Sequence, residues 1–160
     1  MNYSELLLEQ YQKDAWVIEQ QAKDLTNQES LIQLPFRSNC FNWVMGHIVV
    51  HRDKALEALG ENPTLSPDES DVYRRGSDPI LDEESAIPLS RLIEAFNKSQ
   101  EILLGRLANT PEENLGKIWD QENEISIGGR LIFLQWHEAY HIGQLEILRQ
   151  LAGKDDAIIS

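Results

Sequence analysis

Four stretches of this 160-residue chain place apolar residues at every third or fourth position, and that period commits most of its length to helices. The first covers residues 4–26 and carries Leu7, Leu8, Tyr11, Ala15, Ile18, Ala22 and Leu25, with Ser4 as its cap. The second runs over about 41–59 and stops at Gly60. The third covers about 89–107 and is ended by "NTPEEN", and the last begins at Ile127 or Gly128 and continues to Ala152, where Gly153 stops it. Residues 61–88 separate the second from the third. Four of the chain's six prolines, Pro63, Pro67, Pro79 and Pro88, fall there, so the segment reads as a long polar connection, with one short helix in "SPDESDVY". Its length suggests that it covers something. A second polar connection passes through Trp119 and "DQENE" before the last helix, and no stretch alternates convincingly as a strand. The expected architecture is all-α, a four-helix bundle with long connections after helix two and helix three, formed as a single domain over residues 1–160.

A chain of this size with 41% hydrophobic residues can bury a core without staples, and its one cysteine, Cys40, has no internal partner for a disulfide. "MNYSELLLEQ" has neither a basic leader nor an uninterrupted apolar run, so a cytoplasmic protein is expected. No stretch approaches the roughly 20 apolar residues that a membrane-spanning helix requires. The charge balance excludes another class of partner. With 14 Lys+Arg against 27 Asp+Glu, the net charge is −13 and no basic stripe is available to neutralise phosphates, so neither nucleic acid nor a membrane is expected as a partner.

Chemistry concentrates in "WHEAYHIGQ", residues 136–144, which spells HExxH with His137, Glu138 and His141. On a helix, that spelling is the mark of a zinc peptidase, with two imidazoles one turn apart and a glutamate as general base. Such peptidases take a third ligand from downstream, but no histidine follows His141, and Glu146, the sole later glutamate, points away from the His137–His141 arc. No strand is predicted to hold a peptide. The third imidazole must come from upstream. In "NWVMGHIVVHRDKAL", His47 and His51 share an arc with Val44, Ile48, Ala55 and Ala58, just as His137 and His141 fall within the arc of Leu134, Leu145, Leu148 and Ala152. All four histidines therefore lie on inward stripes. A single core histidine is ordinarily satisfied by one hydrogen bond, but two i,i+4 pairs aimed into one core call for a proton acceptor or a metal.

"NWVMGHI" on the second helix, followed about 90 residues later by "HEAYHIGQ" on the last, resembles the DinB/YfiT-like superfamily, the small damage-inducible metalloproteins rather than the polymerase that shares the DinB name. The resemblance spans essentially the whole chain. It implies a four-helix bundle, commonly a homodimer, with a divalent ion, zinc or nickel, held by His47, His137 and His141. It leaves His51 open as fourth ligand, supporting partner or pocket acid/base. Three neutral imidazoles leave coordination positions free, the arrangement of a catalytic rather than a closed structural centre. The resemblance thus implies a metal-dependent hydrolase or a thiol S-transferase acting on a small molecule, with a low-molecular-weight thiol as a possible cosubstrate. The alternative is a non-catalytic metal-binding stress-response protein.

The neighbouring residues each admit two readings. Glu138 lies on the shoulder of the inward arc, as a catalytic base or imidazole partner on one reading and as a solvated or interhelical carboxylate on the other. Trp43, Trp136 and Tyr140 either line a pocket or fill the core. Gln144 is placed to orient a ligand, Gly143 gives close helix approach or room for substrate, and Cys40 reads as a small buried residue rather than a nucleophile.

Overall fold

The computed structural model describes residues 3–159. The first two positions of the N-terminal decapeptide discussed above therefore lie outside the described residues. The elements in chain order are α1 (Tyr3–Ala22), α2 (Asn27–Ser30), α3 (Phe41–Ala58), α4 (Pro67–Val72), α5 (Leu89–Asn109), α6 (Glu112–Leu115), β1 (Ile118–Asp120), β2 (Ile125–Ser126) and α7 (Ile127–Leu151). The protein is all-α apart from the small β1–β2 hairpin. The four long helices pack in a closed cycle, α1 against α7, α7 against α3, α3 against α5 and α5 against α1. None of the described helices is long and apolar enough to cross a membrane.

The stops read from glycine hold. Gly60 and Gly153 both take positive φ, 79° and 81°, directly after α3 and α7, where a side chain would be strained. The first helix is shorter than its apolar period suggests. It ends at Ala22 because Asp24 turns to φ 60°, and Thr26 then caps the short α2 in a reciprocal box with Glu29. Ser4 is not a free cap. It sits inside α1, and its hydroxyl donates to Glu112 Oε2 at 3.1 Å, tying the start of the chain to α6. The β1–β2 hairpin corrects the expectation of no strands. With three and two residues the strands are too short to show alternation, and the turn is built by Asp120, which accepts from the Glu122 and Asn123 amides, and by Glu124 at φ 54°.

Two apolar clusters fill the interior. One gathers Ile18, Met45, Ile48, Phe96 and Leu145, the other Leu7, Tyr11, Leu56, Leu103 and Leu134. The Arg52 guanidinium lies between them, 4.1 Å from the Phe96 ring centroid and 5.7 Å from that of Tyr11. Buried charge needs partners, and Arg52 has them: Nε and one terminal nitrogen donate to the two oxygens of Glu138, at 2.7 and 2.6 Å, while the other donates to Gln100 Oε1. This clamp joins α3, α7 and α5 at mid-height.

The long connection after α3 does cover something. Asp53 accepts from the Thr64 and Leu65 amides and fixes its start, α4 is capped by Ser66, and Tyr73 then packs onto α3. The Tyr73 hydroxyl donates to Asn42 Oδ1 and accepts from the Ile87 amide, so the strap is pinned at both ends. Gly46 makes the approach possible. A Cβ there would lie 2.3 Å from the Tyr73 ring.

Candidate metal centre

The first half of α3 and the middle of α7 face each other across a groove, and the four imidazoles meet in it. Ring centroids lie 4.9 Å apart for His47 and His141, 5.3 Å for His47 and His137, and 4.4 Å for His137 and His141. One ligand atom from each of these three residues falls within 4.8 Å of the others. His51 stacks on His137 at 4.0 Å and tilts against His47 at 4.5 Å, but it is outside that three-residue group.

Hydrogen bonds fix which nitrogen carries the proton in two of the four rings. His47 Nδ1 lies 2.7 Å from the Tyr73 carbonyl oxygen, which only accepts, so Nδ1 donates and Nε2 keeps its lone pair. His141 Nδ1 donates in the same way to Gln144 Oε1 at 2.7 Å, again leaving Nε2 bare. His141 Nε2 then sits 3.2 Å from His137 Nε2. His137 Nδ1 is buried without a hydrogen-bond partner, so one nitrogen of that ring stays unsatisfied in either tautomer. A cation would be held at the other nitrogen, between the facing Nε2 atoms of His137 and His141. Two nitrogens each about 2.0–2.1 Å from a tetrahedral ion stand roughly 3.3 Å apart, close to the observed separation. The donor set fits a divalent ion, with Tyr73 and Gln144 orienting two of the rings.

Electrostatics keeps the rings in the ligating form. Burial, opposed by the bond to Tyr73, pushes His47 down to about 4, and burial followed by the charges of His141 and His47 pushes His137 down to about 4. His51 is pushed down to about 2, first by burial and then by His137 and His47, and burial also lowers His141. At neutral pH all four are neutral, as metal ligation requires.

Other readings now resolve into positions. Gln144 accepts a hydrogen bond from His141 Nδ1. Trp43 is buried and stacks on His47 at 4.7 Å, whereas Trp136 and Tyr140 are exposed rather than core. A cavity of about 470 Å³ opens beside His141, walled by Phe36, Trp43, Val44, Tyr140 and Gln144. Gly143 serves no close helix approach, since a Cβ there would meet nothing within 4 Å. Cys40 is fully buried, and burial pushes its thiol up, away from nucleophilic duty. Glu138 has both oxygens engaged by Arg52.

Sequence reasoning missed Arg52 and Tyr73. The available signal for Arg52 was its place on the same helix face as Ile48, Ala55 and Leu56, three or four residues away. Tyr73 offered none, because its contribution to the site is a backbone carbonyl.

A family model described as the DinB superfamily matches residues 10–145. No curated protein matches the chain. Among solved structures, one described as "Crystal structure of the conserved protein of locus from Enterococcus faecalis" is similar in fold, with a TM-score of 0.73 at 19% identity over 95% of this chain and 98% of that one.

Proposed function

We propose that this chain, which belongs to the DinB superfamily, binds one divalent ion, zinc or nickel, through His47, His137 and His141 and acts with it on a small molecule, as a hydrolase or a thiol-dependent transferase. The observation that carries this reading is the 3.2 Å approach of His137 Nε2 to His141 Nε2, with a nitrogen of His47 within 4.8 Å, in rings whose outer nitrogens are partly committed to Tyr73 and Gln144. Bound there, the ion would supply Lewis acidity to a substrate oxygen or sulfur. The chain's own residues do the rest. His51 stacks against His137 without belonging to the ligand group, and its unpartnered Nδ1 is available to hydrogen-bond a substrate. The cavity beside His141 gives a small molecule access, and Phe36, Trp43 and Tyr140 offer it aromatic contact surface. Glu138, held by Arg52, serves the fold, and the HExxH spelling does not make a peptidase base of it.

Metal analysis tests the reading. The purified protein is expected to hold close to one divalent ion per chain, His47→Ala and His141→Ala to lose most of it, and His51→Ala to retain it. Full metal content in both of the first two variants would sink the assignment. Loss in His51→Ala equal to that in His47→Ala would close the coordination shell and favour the non-catalytic metal-binding alternative.

A further inference from the structure

Beyond the imidazoles, the α3–α7 groove continues with two cations. Lys54 lies seven residues after His47 on α3, and Arg130 seven residues before His137 on α7. Seven residues make two helical turns to within about 20°, so each cation shares the face of its histidine. The pairings of His47 with His141 and of His51 with His137 show that the two helices run antiparallel, which brings Lys54 and Arg130 toward the same end of the groove. Arg130 is held there by aromatic rings. Its guanidinium carbon is 4.9 Å from the Trp119 centroid and 5.8 Å from that of Phe133, and the Phe133 ring is itself 6.2 Å from the His137 ring.

Neither cation has an acid bonded to it, and Glu57 acts on Lys54 and Asp120 on Arg130 only through space. In a chain with 27 Asp+Glu and 14 Lys+Arg, carboxylates outnumber cations, yet among the described residues neither Lys54 nor Arg130 closes an ion pair. Buried Arg130 Nε has no hydrogen-bond partner, and His51 Nδ1 and His137 Nδ1 are in the same condition a turn or two away. Three unsatisfied nitrogens thus line one groove, where buried polar atoms are ordinarily paired. The two cations also feel each other, since the Lys54 ammonium is pushed below its ordinary value by burial and then by Arg130. Like charges kept together in an acidic protein are stabilised by an anion placed between them.

We propose that Lys54 and Arg130 form an anion-recognition site that takes the carboxylate end of a small substrate whose other end lies at the histidine cluster. This inference rests on the metal reading for the second half of that statement only. One to two turns separate the cations from the nearest histidines, about 5–10 Å along the helices, so the substrate is a short chain carrying a metal-binding head and an acidic tail. Its selectivity then comes from the tail. The guanidinium, kept planar against Trp119, offers directed donors, and the ammonium adds a point charge.

The experiment compares two probes that differ only at that tail, adipic acid monohydroxamate and hexanohydroxamate, titrated calorimetrically into zinc-loaded protein. Adipic acid monohydroxamate is expected to bind about tenfold or more tightly, on the scale of one charge-assisted hydrogen bond in a partly buried site. Lys54→Gln and Arg130→Gln should each erase most of that ratio, Arg130→Lys should restore part of it, and Lys98→Gln, which removes an exposed charge on α5, should leave it intact. Equal affinity of the two probes for the wild type, or an equal loss with Lys98→Gln, would overturn the anion site. Adipate titrated into chelator-treated protein separates the two readings. If the protein holds no metal but adipate binding still depends on Lys54 and Arg130, the metal reading falls and the anion site stands. If metal is held and neither adipate nor the monohydroxamate depends on them, the anion site falls alone.

Discussion

His51 is followed by Arg52 and His137 by Glu138, so the same two helices present two adjacent polar pairs, turned about 100° apart. The Arg52–Glu138 side is closed. Both carboxylate oxygens and all three guanidinium nitrogens are bonded within the protein, and the charges are stacked between aromatic rings. The histidine side is incomplete. His51 Nδ1 and His137 Nδ1 are buried without partners, while His137 Nε2 and His141 Nε2 face each other at a distance suited to a shared cation. Burial alone does not distinguish the two, because Glu138 and His47 are both almost fully covered. The state of their hydrogen bonds does: a satisfied network holds the helices together, and an unsatisfied one is available to a ligand.

The largest effect is expected from breaking the closed side. Glu138→Gln keeps the shape of the side chain but leaves the Arg52 charge without its counterion, at a cost of about 3–5 kcal/mol in unfolding free energy. Urea unfolding of the chelated protein measures it. Metal stoichiometry in the folded variant should stay near that of the wild type, since the carboxylate faces Arg52 rather than the imidazoles. A Glu138→Gln protein as stable as the wild type but devoid of metal would reverse the two roles assigned here. Converting the pair together, Arg52→Met with Glu138→Leu, should recover much of the loss, because apolar groups of similar volume require no counterion.

The line between the two sides was only partly legible in the sequence. Apolar spacing placed the long helices to within a few residues, because each buries a continuous stripe, and i,i+4 spacing placed all four histidines in one core. Glu138 was ambiguous for a physical reason: one turn of a helix puts it on the boundary between two faces, and only the partner arriving from α3 decides which it serves. The short elements were missed because α2 and the β1–β2 hairpin are fixed by local side-chain bonds, such as those of Thr26 and Asp120, and α6 is tied through Glu112 to the distant Tyr3 and Ser4, none of which leaves a periodicity. Likewise, the carbonyl that orients His47 belongs to a residue 26 positions away in a connection with no repeating pattern.

A smaller effect is expected from disturbing the support of the open side. Gly46→Ala would set a Cβ 2.3 Å from the Tyr73 ring, and that ring cannot swing freely because its hydroxyl is bonded to Asn42 and Ile87. Overpacking of this kind costs about 1–3 kcal/mol. Because the Tyr73 carbonyl orients His47, displacement of the strap should also weaken metal binding by about tenfold or more, in the range seen when a partner of a ligating imidazole is lost. Glu138→Gln should lower stability and spare the metal, whereas Gly46→Ala should lower both. Competition with a chromophoric chelator, read beside urea unfolding, checks the contrast. Unchanged metal affinity in Gly46→Ala would mean that His47 needs no support from the strap.

The smallest effect comes from the edge of the closed side, where Asp14 on α1 accepts from Gln135 Nε2 at 3.0 Å within the field of Glu138. Burial and then the Glu138 charge push its carboxyl up to about 6, from an ordinary value near 3.8. Below pH 3.8 the group is protonated whether the chain is folded or unfolded, so it imposes no electrostatic cost. Between pH 3.8 and 6 the folded state holds the extra proton, so raising the pH through that window removes stability, and above 6 the folded protein carries the full cost of a partly buried carboxylate beside another. Asp14→Asn keeps an oxygen for Gln135 and removes the charge. Relative to wild type, the variant should therefore gain on the order of 1 kcal/mol at pH 7 compared with pH 4, less than a direct conversion of the shift because Gln135 and solvent offset part of it. Urea unfolding of both chelated proteins at the two pH values gives the difference directly. A gain at pH 4 larger than at pH 7 would mean that Asp14 is stabilised as the anion in the folded protein, and that Arg52 has charge to spare beyond Glu138.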